Sequence, residues 1–323
     1  MPAKNKITDA HSFFAKKLSE TTEEGLEKLF HTIISRLLFV SIVLGTDDNA
    51  YLIFEGLNAK GLPLTQADLI RNFLLMRVHV KRQDSVFTAN WLPMQTALAD
   101  NLTEFIRHFL MRNGSFIKEN EVYATLKTAT ENNSEQQTIT YLATLNTFSS
   151  FYQKLLNPET EANPNIRKRL EALKRLDVTT AYPFLLDLYE DYASQKCTEE
   201  QFIHIFDMLE NFLVRRFVCS VPTYGLNKFF PTLLSQAKQH ASLTEGVAEI
   251  LSKRSYPKNA EFRRNLFIMK MYGGERAQKA KLILERLEES YGHKEGVLAE
   301  PLTIEHIMPQ TLTDCWQKEL GEN

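Results

Sequence analysis

Apolar side chains recur at helical spacing along almost the whole chain. The pattern opens with Phe13, Phe14 and Leu18 on one face and widens through Leu26, Leu29, Phe30, Ile33, Ile34, Leu37 and Leu38, so residues from Ile7 to about Gly45 read as helical. The breadth of the second stripe implies burial on more than one side, and His31 within it reads as a packed histidine. A further amphipathic segment through Tyr51, Phe54 and Leu57 should break near Asn58, because Gly61 frees the backbone to turn and Pro63 keeps its neighbour extended. Thr65 restarts the helix. Its hydroxyl is placed to accept the Asp68 N–H while the Asp68 carboxylate reaches back to the Thr65 amide, after which Leu69, Phe73 and Met76 face the core.

Helical periodicity then predicts elements over Trp91–Leu98 and Leu102–Met111, the second stopped by Asn113-Gly114. The polar stretch Thr128 to Gln137 reads as a loop or a frayed helix start, before Leu142, Leu145, Phe148, Phe151, Leu155 and Leu156 resume the period. Pro158 and Pro164 bracket a polar connection, Asn157 to Asn165, that marks the best internal boundary. The next helix buries Ile166, Leu170, Leu173 and Leu176 and presents Arg167, Lys168, Arg169, Lys174 and Arg175 on a basic face. Thr180 reads as the cap of a helix entering at Tyr182-Pro183. The clearest element starts at Thr198, where Thr198 and Gln201 form a capping box ahead of the stripe Phe202, Ile205, Phe206, Leu209, Phe212, Leu213 and Phe217. Helices follow over Phe229–Ala237, Val247–Leu251 and Phe262–Met271. Ala277, Ala280, Ile283, Leu284 and Leu287 then mark a narrow seam on a charged helix that reads as a solvent-flanked strut. No internal repeat of constant period is present. The expectation is a mostly α, multi-helix bundle-like assembly.

Composition narrows the class. Hydrophobic residues at 43% and charged residues at 24% are those of an ordinary soluble globular protein, and scarce Gly and Pro disfavour a strand-and-turn architecture. A net charge of −2 argues against a chain that coats nucleic acid non-specifically, while leaving room for a local basic groove. Cys197, Cys219 and Cys315 form no Cys-x-x-Cys pair, which fits a reducing compartment without structural zinc. The N-terminus has no signal-peptide h-region, and the longest apolar run, Ile33 to Leu44, is interrupted by Arg36 and is shorter than the ~20 residues a membrane helix requires. A cytoplasmic protein without a membrane partner is expected.

Four places carry candidate chemistry. Asn58, Lys60, Asp68 and Arg71 converge at the hinge, where helix-start amides can meet an anion, although an ordinary helix stop and cap explain the same residues. The basic face from Arg167 to Arg175 reads either as a solvated surface or as a DNA phosphate contact. Arg215 and Arg216 complement a helix C-terminus, hold backbone carbonyls, or bind a phosphate. At the C-terminal end, Leu302, Ile304 and His306 alternate with Thr303 and Glu305 as in a short strand stopped by Pro309. An adjacent carboxylate and imidazole suit metal-assisted phosphodiester hydrolysis, the acid holding a divalent cation and the neutral imidazole taking a proton from water; a surface pair is the plainer alternative.

Phe54-x-x-x-Asn58, the Gly61-Leu-Pro-Leu run and Asp68-Leu-Ile-Arg71-Asn together resemble the GmrS-like half of the GmrSD-type, type IV modification-dependent restriction endonucleases, a half with a ParB- and sulfiredoxin-like fold. The tract from Arg215-Arg216 to Pro222-Thr223 and Leu226-Asn-Lys228 is similar to the same family. Ile304-Glu305-His306-Ile-Met-Pro-Gln310, followed by Trp316 and Leu320-Gly321, resembles the opening of the HNH, or His-Me finger, nuclease of the GmrD-like half. The resemblance implies nucleotide binding through Phe54, Asn58, Gly61, Asp68 and Arg71, with an NTP as cofactor, and Mg²⁺ or another divalent metal at a nuclease site with Glu305 as ligand and His306 as general base. It implies DNA as partner and leaves a homo-oligomer open. The family's upstream Asp-Gly-Gln-Gln-Arg element and the later nuclease helix have no counterpart in this sequence. The expected organisation is therefore an internal piece, inactive on its own, of a metal-dependent DNA endonuclease with an NTPase half. Its parts are a GmrS-like segment (1–80), a helical connector (81–298, with the 157–165 boundary) and the start of the nuclease (299–323). The rival readings are a helical interaction module and a nucleotide-gated regulator without nuclease activity.

Overall fold

The computed structural model describes residues 6–38, 41, 64–271, 273–274, 276–292 and 313–320, and they fall into two units, Met1–Phe54 and Glu55–Asn323. The expected C-terminal strand, the 51–58 segment and the hinge glycine lie outside the described residues. Every described element is helical, so the mostly α class is observed.

The first unit contributes α1 (Lys6–Ser19) and α2 (Glu23–Arg36). Thr22 caps α2 by accepting the Gly25 N–H at 3.3 Å. Helix α2 ends at Arg36, with Leu37 extended, earlier than the periodicity suggests. The apolar faces of both helices are exposed: Phe13 and Phe14 of α1 and Phe30 and Ile34 of α2 are 57–65% exposed, and His31 is exposed rather than packed. Two amphipathic helices cannot cover an apolar surface that wraps more than one side, which is why the expectation of burial fails here.

The second unit begins with α3 (Gln66–Leu75), α4 (Val80–Val86), α5 (Leu92–Leu98), α6 (Leu102–Met111), α7 (Val122–Thr130) and α8 (Glu135–Leu156). Thr65 and Asp68 form the anticipated capping box on α3. The helix buries Ala67, Ile70, Phe73 and Leu74, while Leu69 is half-buried and Met76 is 42% exposed. The seam therefore starts at small Ala67 and lies rotated from the one read through Leu69 and Met76. A π-helical turn, Phe87–Trp91, joins α4 to α5 and buries Trp91. The polar stretch after Thr128 resolves into the end of α7, a turn, and the Ser134/Gln137 capping box of α8. Helix α8 packs against α5 and α6, and its Phe148 and Tyr152 join Phe105 and Phe109 in a run of ring contacts 5.1–6.3 Å apart.

The chain continues through α9 (Pro164–Leu176), α10 (Tyr182–Ala193), α11 (Glu199–Val218), α12 (Leu226–Ala237), α13 (Leu243–Lys253), α14 (Asn259–Ile268), α15 (Arg276–Ser290) and α16 (Asp314–Leu320). The 157–165 connection is a tight turn bolted to its neighbours. Glu161 is 5% exposed, accepts the Tyr189 hydroxyl at 3.1 Å and pairs with Lys154 at 3.0 Å. Thr180 does not cap α10: a 3₁₀ turn, Thr179–Ala181, leads straight into the helix, so the Tyr182 N–H is already spent on the Thr179 carbonyl and the Thr180 hydroxyl is buried without a partner among the described residues. Helix α11 carries the predicted capping box, and the Phe202 to Leu213 stripe is buried among α9, α10 and α13. Helix α15 buries Ala280, Leu282 and Ile283 rather than Leu284 and Leu287, and is docked on α9 rather than standing clear as a strut.

Candidate functional site

At the start of α3 the structure places Asp68 and Arg71 one turn apart on the same face, paired at 3.0 Å. Asp68 Oδ2 accepts from the Thr65 hydroxyl at 2.8 Å and the Thr65 amide at 3.3 Å, so the cap already uses this carboxylate. Arg71 is half-buried, also donates from Nε to Asn72 Oδ1 at 3.4 Å, and has guanidinium donors beyond those two. Phe54, Asn58 and Gly61 lie outside the described residues, so only Asp68 and Arg71 of the nucleotide-binding set are placed.

The basic face of α9 is engaged within the fold. Arg167 donates to the Glu161 carbonyl at 2.6 and 2.8 Å, Lys168 pairs with Glu289 at 2.7 Å, Arg169 forks onto Asp207 at 2.9 and 3.2 Å, and Arg175 pairs with Glu285. Arg286 of α15 adds a fork onto Glu210 at 2.6 and 2.8 Å. The charges thus lock α9 to α11 and α15, and Lys174 alone of the five is exposed without such a partner among the described residues. Glu289 is held below the ordinary carboxylate range by its bonds from Lys168 and Arg286, against the opposing effect of burial.

Of the readings open for Arg215 and Arg216, the carbonyl network is the one observed. Arg216 is 5% exposed and donates to the carbonyls of Arg254 at 3.3 Å, Ser255 at 3.2 Å and Pro222. Burial and nearby Arg254 lower its pKa. Arg215 donates to the Pro257 carbonyl at 3.1 Å and Asn259 Oδ1 at 2.8 Å, with its guanidinium 5.1 Å from the ring centres of both Tyr256 and Phe262. Both arginines are positioning residues: they fix the 254–259 segment and hold the inner face of α14 against α11.

Among the described residues, the most perturbed histidine escaped the sequence reading. His108, 2% exposed, contacts the Tyr152 hydroxyl at 3.1 Å and Glu104 at 3.3 Å, and burial pushes it down to about 4 despite that carboxylate. It is a neutral core residue packed edge-on against Tyr182. An open depression of about 550 Å³ is lined by Glu199, Glu200, Ile203, His204 and Asp207, but no group of three His, Cys, Asp or Glu side chains among the described residues is placed to hold a metal. Glu305 and His306 lie outside the described residues.

No curated protein matches the chain. Residues 256–323 match the family described as GmrSD restriction endonucleases, C-terminal domain, a range that takes in α14, α15, Glu305, His306 and α16.

Proposed function

We propose that this chain serves a restriction endonuclease that hydrolyses phosphodiester bonds of modified DNA with a divalent metal ion and is gated by nucleotide hydrolysis. The observation that carries the reading is the family match over 256–323, which encloses the Glu305-His306 pair. The donor set fits the chemistry. A carboxylate is a hard oxygen ligand suited to Mg²⁺, whereas a neutral imidazole is a poor Mg²⁺ ligand and a good proton acceptor near neutral pH. Glu305 would hold the metal, which supplies charge neutralisation on the scissile phosphate. His306 removes the proton from the attacking water as its oxygen bonds to phosphorus and the leaving oxygen departs.

Phe54, Asn58, Gly61, Asp68 and Arg71 form the proposed nucleotide site, with Arg71 as the cation for a phosphate. A cytoplasmic location goes with the same reading; no helix of the described residues is long and apolar enough to cross a membrane. One observation favours the interaction-module alternative, the apolar face of α1 and α2 that is exposed among the described residues. The test is Mg²⁺-dependent cleavage of modified DNA by the full-length protein carrying His306→Ala. Loss of cleavage supports the assignment, and unimpaired cleavage overturns it.

A further inference from the structure

We propose that the outer face of α14, built on Arg263, Arg264 and Phe267 and flanked by Lys258 and Lys270, is the surface that receives the sugar-phosphate backbone of duplex DNA. The choice of DNA as the polyanion rests on the endonuclease reading; the location of the surface rests on the charges below.

Between Lys253 and Lys281 the sequence holds nine Lys and Arg residues against two acids, Glu261 and Glu275, in a chain whose net charge is −2. Basic residue counts alone are poor guides, as α9 demonstrates, where four of the five cations are tied to Glu161, Asp207, Glu285 and Glu289. The α14 face differs in this respect. Lys258, Arg263, Arg264 and Lys270 are exposed, and none has an ion pair among the described residues. Helical geometry gathers the central three side chains: Arg263 and Phe267 are four apart, and Arg264 and Phe267 three apart, so all stand on one face. Small Ala260 lies on that face, one turn before Arg263 and Arg264. Phe267 is 89% exposed and Ile268 73%, an apolar tip that solvent alone does not explain.

The opposite face explains why the cations point outward. Phe262 and Leu266 are half-buried, Asn265 donates to its own helix at the Glu261 carbonyl and to Cys219, and Arg215 grips Asn259 and the Phe262 ring. Helix α14 is thereby clamped on α11 in one rotation, with the only nearby acid of the described residues, Glu261, on the half-buried side. Guanidinium groups held on a rigid helix, without ion pairs among the described residues, suit phosphate oxygens, and an exposed ring one turn beyond them adds apolar contact that carries no counterion release.

The measurement is anisotropy of a labelled short duplex titrated with the full chain over a series of salt concentrations. Each phosphate contact contributes a slope of about 0.9 in log affinity against log salt, so Arg263→Ala/Arg264→Ala should reduce the slope by roughly 2 and weaken binding by tens-fold near 0.1 M salt. Arg263→Lys/Arg264→Lys should restore most of the slope, because the charges return. Phe267→Ala should weaken binding without changing the slope. Lys174→Ala on α9 should leave the slope nearly unchanged. Circular dichroism of each variant checks folding, which these exposed positions should leave intact. A slope unchanged in the double alanine variant overturns the surface while leaving the nuclease assignment to the His306→Ala cleavage assay. Failure of the wild-type chain to bind duplex at low salt overturns it too, and competition by polyglutamate as strong as by unlabelled duplex assigns the face to an acidic protein instead.

Discussion

Arg216→Ala removes the donor that three carbonyls share. In the wild type the guanidinium is almost fully buried, spans Arg254, Ser255 and Pro222, and sits 5.2 Å from the centre of the Phe212 ring. Truncation leaves those acceptors without their charged partner and opens a void beside Phe212. A hydrogen bond from a charged group contributes about 1.5–3 kcal/mol, and each buried acceptor left unmade costs about 1–3 kcal/mol. The three bonds share one side chain and solvent reaches part of the freed space, so a total of about 3–5 kcal/mol is expected rather than their sum. For a unit of this size that is a drop of roughly 10 °C in Tm. Thermal and urea unfolding followed by far-UV circular dichroism would measure it. Arg215→Ala, which removes a half-exposed side chain bonded to Pro257 and Asn259, should cost about 1–2 kcal/mol, less than Arg216→Ala. A loss below ~1 kcal/mol for Arg216→Ala would show that the carbonyl network does not hold the segment leading into α14.

Two further changes probe the fold. His108 has a pKa near 4 when folded against 6.5 ordinarily, so as pH falls from 6.5 towards 4 the unfolded chain takes a proton that the native state refuses. Stability should fall across that window by up to about 3 kcal/mol, and the pH dependence of urea midpoints should be flatter in His108→Gln by that amount; equal slopes would contradict the burial. Thr65→Ala breaks the capping box of α3 and should cost about 1 kcal/mol, with faster amide exchange in the first turn of that helix and little change elsewhere. Unaltered exchange there would mean that the Asp68 carboxylate sustains the start unaided.

What the sequence revealed depended on distance along the chain. The Thr65/Asp68 and Thr198/Gln201 caps and the Phe202–Leu213 stripe are set by residues within a turn or two of each other, and all are observed. The partners of Arg216 lie up to 39 residues away and those of Arg175 lie 110 away, so their roles depend on packing that periodicity cannot supply. Leu69 and Met76 were misplaced because two adjacent apolar stripes fit one helix, and tertiary contact with α6 and α7 selected the one through Ala67 and Ile70. His31 and His108 exchange places for the same reason: apolar neighbours in sequence do not guarantee apolar neighbours in space. The excess of cations after Lys253 was legible as a count, but its significance required knowing which cations are already paired.

The most direct test of the proposed function reads two chemistries on the same preparations of full-length protein: Mg²⁺-dependent cleavage of modified DNA and nucleotide hydrolysis, for wild type, His306→Ala and Asn58→Ala. His306→Ala should lose cleavage by a factor of about 10²–10⁴, the usual contribution of a positioned general base, and retain nucleotide hydrolysis, while Asn58→Ala should lose nucleotide hydrolysis. Cleavage at the wild-type rate by His306→Ala would contradict the assignment of the nuclease to the Glu305-His306 motif.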